Sequence, residues 1–127
     1  MPTNFPAVTG QVVTADFANQ LLAFTVTTET GNYTIDNDDL YQVFIQLSAA
    51  GTKTVTIAPD STLTAAVVGS AITFCNTGAG LLSFAAGAGV TLTSAGVVSA
   101  APTLVQHKVA QCIRVSANTW RIAGGIG

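Results

Sequence analysis

Apolar and polar residues alternate over short segments along most of this chain. In residues 21–28, for example, the side chains of Leu22, Phe24 and Val26 share one face. A period of two residues is the pattern of a half-buried β-strand. The same pattern predicts further strands over residues 33–35, 40–47, 54–57, 71–75, 81–84, 90–93 and 107–115, and a last strand that contains Trp120 and Ile122.

Turn-forming residues separate these segments. Gly31 and Asn32 predict a tight turn that joins residues 21–28 to residues 33–35 as a β-hairpin. Glycine pairs at positions 78/80 and 87/89 predict turns between later strands. No segment keeps a helical period over about 11 residues. The pattern therefore predicts an all-β fold, a compact antiparallel β-sandwich or jelly-roll-like module.

The first residues of the chain do not follow this pattern. Pro2, Pro6 and Gly10 interrupt regular structure, and the apolar residues around them are scattered. We predict an irregular N-terminal arm, which together with the first hairpin spans residues 1–35, and a β-sandwich module over residues 36–127. An arm that packs onto a neighbouring subunit would have this character, and its candidate interface residues are Phe5, Val8, Val12, Val13 and Phe17.

The chain is poor in charged residues. Of its 127 residues, 49% are hydrophobic and 8% are charged, whereas about 25% is typical of soluble domains. So few charges among many small apolar residues predict that part of the surface is buried against other subunits. The net charge of −2 comes without a basic cluster, so we expect no nucleic-acid partner.

The sequence contains no segment typical of a membrane span or of a secretory signal peptide. No apolar run approaches the roughly 20 residues that span a bilayer. The first residues have neither the basic nor the apolar region of a secretory signal peptide. We therefore expect no membrane partner and synthesis in a cytoplasm.

The sequence predicts no catalytic residue, metal site or cofactor. His107 is the only histidine, and no G-x-S-x-G nucleophile motif occurs. Asp36, Asp38 and Asp39 lack the glycine and distal glutamate of a calcium-binding EF-hand loop, and a solvated turn explains them. We expect that the protein is not an enzyme.

A few polar and aromatic residues are candidates for a surface role. His107 is expected at a surface or interface. Arg114 and Arg121 alternate with Trp120 and are expected to face the other side, toward a neighbour. Trp120 and Tyr41 could stack on sugars, although a lone tryptophan in a final strand more often anchors a core.

Cys75 and Cys112 are the only cysteines. Each falls within a predicted strand and is expected to behave as a small buried hydrophobe. A disulfide bond would require that the two residues pair across neighbouring strands, which the sequence does not decide. Two cysteines without histidine partners do not make a zinc site.

Four segments together resemble a β-module of tailed-phage virion proteins: TVTI at 54–57, VGSAITF at 68–74, GAGLLSFAAGAGVTL at 78–92 and ANTWRIAG at 117–124. The module occurs in tail-fibre, head-fibre and some capsid decoration proteins, and the resemblance covers about residues 35–124. This sequence departs from the module at AQCIRV, residues 110–115, where the module is more hydrophobic, and over residues 97–106.

The resemblance implies a bacteriophage structural protein located in the virion. We expect a capsid decoration, or cement, protein that binds the major capsid protein on the capsid exterior as a homotrimer and stabilises the shell. The alternative is a tail-fibre or head-fibre tip that adsorbs to a glycan receptor of the host. A carbohydrate-binding or interaction module outside any virus is a third hypothesis, against which the missing signal peptide argues.

Overall fold

The computed structural model describes residues 23–41, 43–94, 97–98 and 102–126. One short helical segment, the 3-10 helix Asn37–Leu40, lies among strands. The strands are β1 Thr25–Glu29, β2 Tyr33–Thr34, β3 Val43–Leu47, β4 Lys53–Ile57, β5 Ala71–Asn76, β6 Leu82–Ala86, β7 Thr91–Ser94, β8 Val97–Val98, β9 Thr103–Leu104, β10 Val109–Ser116 and β11 Thr119–Gly124.

The strands form two sheets that share one hydrophobic core. The larger sheet has seven strands in the order β1-β3-β5-β10-β11-β7-β8, and the smaller has four in the order β2-β4-β6-β9. Phe74 of the larger sheet meets Phe84 of the smaller edge to face, with ring centroids 5.1 Å apart. Apolar side chains from both sheets form a single buried cluster around this contact. The prediction of an all-β sandwich is confirmed.

The direction of strand pairing differs from the prediction. From β1 to β6 the chain alternates between the two sheets, and β1, β3 and β5 pair in parallel, as do β2, β4 and β6. Antiparallel pairs form later, as β5 with β10, β10 with β11, β6 with β9 and β7 with β8. The sheets are therefore mixed, and the first half of the sandwich is wound as a coil.

The hairpin predicted between residues 21–28 and 33–35 is wrong for the same reason. β1 belongs to the seven-stranded sheet, while β2 belongs to the four-stranded sheet. Ile35, just after β2, is fully buried in the core between the sheets. The turn at Gly31 and Asn32 thus carries the chain from one sheet to the other. Each strand from β1 to β4 pairs with the strand that comes two places later in the chain.

Stacked turns account for the glycine pair at 78 and 80. The turn between β5 and β6 lies on the turn between β3 and β4, and the Gly80 amide donates to the Ala49 carbonyl at 2.9 Å. A Cβ atom at Gly78 would overlap the backbone of Ala49, and one at Gly80 would overlap the backbone of Gly51. Neither glycine has a positive φ. The residues are small because two backbones meet here, a reason that the turn interpretation did not include.

The acidic connection after β2 is a capped turn. The Asp36 carboxylate accepts the Asp38 amide at 3.0 Å, and Asp39 Oδ2 accepts the Asp36 amide at 2.9 Å and the Tyr33 hydroxyl at 2.6 Å. These bonds form a capping box around the 3-10 helix. Asp39 is buried, and loss of solvent there raises the pKa of its carboxyl group.

Candidate interaction surface

Alternate residues of the seven-stranded sheet point away from the smaller sheet. We call this surface the outer face. The register of the pairs places its members in rows across β1, β3, β5, β10 and β11, and they include Val26, Thr28, Phe44, Gln46, Ala71, Thr73, Cys75, Val109, Gln111, Ile113, Arg121 and Ala123.

The outer face combines exposed apolar side chains with threonine and glutamine side chains, and it is almost free of charge. Val26 is 57% exposed, Val109 is 44% exposed and Ile113 is 36% exposed. Among the described outward-facing residues of these five strands, Arg121 is the one charged side chain. Exposed apolar side chains on a surface with so little charge favour contact with another protein or a ligand. The outer face is therefore the candidate interaction surface.

The inner face of the same sheet is filled by core residues. Ile72, Phe74 and Trp120 are each fully buried. Trp120 belongs to the core, as the sequence favoured, and its ring is not accessible for stacking on a sugar. Tyr41 is half-buried. The two aromatic residues that suggested a sugar platform thus do not form one together.

Arg114 lies on the core side of β10 and is engaged within the chain. It is paired in register with the buried Trp120, and therefore shares its face rather than the opposite one. Its Nη2 and Nε donate to the two carboxylate oxygens of Asp60 at 2.8 and 3.2 Å. Asp60 Oδ2 also accepts the Asn118 amide at 2.9 Å. Hydrogen bonds from Arg114 lower the pKa of the Asp60 carboxyl group.

His107 and Arg121 occupy different parts of the surface. His107 lies in an exposed turn before β10 with a φ of 67°, and its amide donates to the carbonyl of Asn76 at 2.6 Å. Arg121 faces outward as expected, opposite Ile113, and its Nη1 is 3.3 Å from Thr93 Oγ1. The structure does not bring His107, Arg114 and Arg121 together. The arm residues Phe5, Val8, Val12, Val13 and Phe17 lie outside the described residues.

The two cysteines point to opposite faces of the sheet. Cys75 pairs with Val109 on the outer face, whereas Cys112 pairs with Ile72 on the inner face. Both thiols are free, and their opposite directions prevent a bond between them within one chain. Burial raises the pKa of the Cys112 thiol to about 12, so this group is an unreactive core side chain. Cys75 is half-buried.

Further exposed apolar residues lie next to the outer face, just before the first residues of β1 and β5. Phe24, Val67 and Val68 are 49%, 51% and 69% exposed. With Leu40, Gly69, Ser70, Ala71 and Gln111 they line a depression of about 360 Å³, which we call the groove. Sequence reasoning missed Val67 and Val68, since they fall in a connection where no alternation marks them. The available signal was an apolar pair, next to Gly69, in a connection otherwise rich in small and polar residues.

Other classes of site have less support in the described part of the chain. Among the described residues, no group of three or more histidine, cysteine, aspartate or glutamate side chains could hold a metal ion. Within the same residues, no helix has the length and apolar character that a membrane span needs. A scan against protein-family models matches no family, and searches of curated proteins and of solved structures return no match.

Proposed function

We propose that this chain is a structural protein of a tailed-phage virion, namely a capsid decoration protein that binds the outer surface of the capsid as a homotrimer and stabilises the shell. The observation that supports the proposal most directly is the outer face. It carries exposed apolar side chains and almost no charge, and burial against another protein removes such side chains from water. The resemblance of residues 35–124 to a virion β-module adds the kind of assembly in which that burial takes place.

The physical role is to add buried contact area where the capsid is weakly held. A stable contact between two proteins buries about 800 Å² on each partner. A trimer presents each contact three times, so weak individual contacts to the major capsid protein add up to strong attachment. The chain carries no dense charge that would oppose packing against its own copies, since only 8% of its residues are charged. No reaction and no cofactor belong to this proposal.

Particles of the phage that encodes this chain provide the test. Capsids that carry the protein are expected to resist heat to a higher temperature than capsids without it, and adding back purified protein is expected to restore the difference. The readout is the temperature at which the particles release their DNA. An unchanged release temperature would contradict the cement role.

The position of the protein on the particle separates the proposal from its main alternative. Gold-labelled antibody is expected to decorate the head lattice in electron micrographs. Label at the tail or at a fibre tip, with binding to host glycans on an array, would instead support the receptor-binding hypothesis.

A further inference from the structure

Strand β1, at the edge of the seven-stranded sheet, places polar and apolar side chains on the opposite faces from its neighbour β3. In register with the buried Val43, Ile45 and Leu47 of β3, it places Thr25, Thr27 and Glu29 on the core side. Its apolar side chain, Val26, points outward and is largely exposed. A strand that only closed the sandwich would place its apolar side chains inward. Val26 and the neighbouring Phe24 therefore leave exposed apolar surface at this edge of the sheet, which a docked apolar segment would bury.

The groove lies beside this reversed strand. Phe24, the residue before β1, lines it together with Val67 and Val68. Charged side chains are absent from the described residues that line the groove. An apolar segment would bury these side chains without leaving a charge unpaired, whereas a charged segment would gain nothing there.

We propose that the groove receives residues 1–22 of a neighbouring copy of this chain. This segment immediately precedes Ala23 and Phe24, so it leaves the described domain at the groove itself. It contains Phe5, Val8, Val12, Val13 and Phe17, and Asp16 is its only charged side chain. The composition of the segment therefore matches the composition of the surface.

The length of the segment allows it to reach a second copy. Twenty-two residues span up to about 75 Å when fully extended. Seven strands at about 4.8 Å spacing make a sheet roughly 34 Å wide. The segment thus reaches beyond its own sheet. Exchange of such segments around a closed ring would link each copy to the next, and in this respect the inference rests on the proposed homotrimer.

Disulfide trapping tests the contact. Val68→Cys is combined with one arm substitution at a time, Val8→Cys, Val12→Cys or Phe17→Cys, in a Cys75→Ser background. Oxidation is expected to produce chains covalently linked to one another for at least one pair, seen on a non-reducing gel. The matched control moves the acceptor cysteine to Ala79, an exposed residue beyond the other end of β5, and is expected to reduce the yield at least tenfold.

The outcomes separate this inference from the proposed function. Cross-links only within one chain, or equal yields at Val68 and Ala79, would overturn docking on a neighbour. If sedimentation shows a trimer and no pair cross-links, the inference fails while the homotrimer stands. If the protein sediments as a monomer, the homotrimer itself fails, and the inference with it.

A charge substitution gives an independent readout. Val68→Asp is expected to weaken association of the trimer about tenfold or more, because each docked segment would bury an unpaired carboxylate. Leu81→Asp places the same charge at an exposed apolar residue in the turn between β5 and β6, away from the groove, and is expected to leave association unchanged. Equal association constants for the two variants would contradict the assignment of the groove.

Discussion

The two faces of the seven-stranded sheet are built by the same strands and differ in what they do. The inner face holds Ile72 and Phe74, both fully buried, whereas the outer face holds Val109 and Ile113, both exposed. Side chains that leave water on folding stabilise the fold, and exposed ones contribute little until another surface covers them. The comparison teaches that alternation along a strand can place apolar side chains in the domain's own core and also on a surface open to solvent.

Strand β1 shows the difference between the two faces most clearly, because polar side chains face the core and its one apolar side chain faces outward. Its core side carries Thr25, Thr27 and Glu29, and its outer side carries Val26 and Thr28. At this edge the strand places polar side chains toward the core and exposes Val26 on the outer face. Exposed apolar side chains on this face are thus not confined to strands whose opposite side fills the core.

The largest effect should come from breaking the inner face alone. Ile72→Ala is expected to lower the free energy of unfolding by about 2–5 kcal/mol, since it removes a fully buried side chain and leaves a cavity. Ile113→Ala, on the outer face in the adjacent row of the neighbouring strand, is expected to cost about 1 kcal/mol or less in the isolated protomer. Urea unfolding of both variants, at a concentration where only protomers are present, measures the two values. Equal losses would remove the distinction between the faces.

A second comparison concerns two glycines at the stacked turns, of which Gly80 has no room for a side chain and Gly51 has. Gly80→Ala places a methyl group into the backbone of Gly51 and is expected to cost about 2–3 kcal/mol. Gly51→Ala is the matched control, because its Cβ would meet no atom within 4 Å, and it is expected to change stability by about 0.5 kcal/mol or less. Thermal unfolding compares the pair. If both substitutions are neutral, the turns do not stack as described.

Asn76 is a buried polar residue on the otherwise apolar inner face of β5, and it provides a further test of that face. Its amide donates to the carbonyls of Gly80 and Leu104 at 2.8 Å each, and its side-chain oxygen accepts the Gly78 amide at 3.1 Å. Asn76→Ala is expected to cost about 1–3 kcal/mol, because these groups lose their partner in a buried corner. Chemical denaturation measures the loss. A neutral result would show that water replaces the side chain there.

The smallest expected effect depends on pH. Asp60 has a pKa below its usual range because of Arg114, so the contribution of the ion pair is complete above about pH 4 and is lost as the pH falls through the lowered value. Asp60→Asn is expected to remove about 1 kcal/mol at neutral pH. It should also flatten the decline of stability between about pH 4 and pH 2. Parallel curves for the two proteins, from unfolding at several pH values, would contradict this role.

Much of the fold follows from the sequence, because a period of two identifies strands and glycine marks the turns. Strands β4, β5, β6 and β7 lie within a residue or two of their predicted positions, and β11 contains Trp120 and Ile122 as predicted. The direction of pairing does not follow in the same way. The predicted hairpin and the coil that forms instead use the same turn residues at Gly31 and Asn32, and the strands differ only in their partners, since β1 pairs with β3 and β2 with β4.

The candidate surface was less accessible from the sequence than the fold. Alternation shows that Val109 and Ile113 share a face, but it does not show whether that face meets the core or solvent. In β10 the core side is held by Ala110 and Cys112, which are the less hydrophobic set. Which set turns inward depends on the space between the sheets, where β10 is flanked by the bulky Phe74 and Trp120. The sequence of β10 alone does not show how much space its side chains have between the two sheets.

The oligomeric state of the protein tests the central claim most directly. Sedimentation velocity at micromolar concentration is expected to show a trimer for the natural sequence and a monomer for Ile113→Asp, which adds a charge to the outer face. Val105→Asp, at an exposed residue outside that face, is expected to remain a trimer. A natural protein that sediments as a monomer, or an Ile113→Asp variant that associates as well as the natural protein, would contradict the claim that the outer face is an assembly surface.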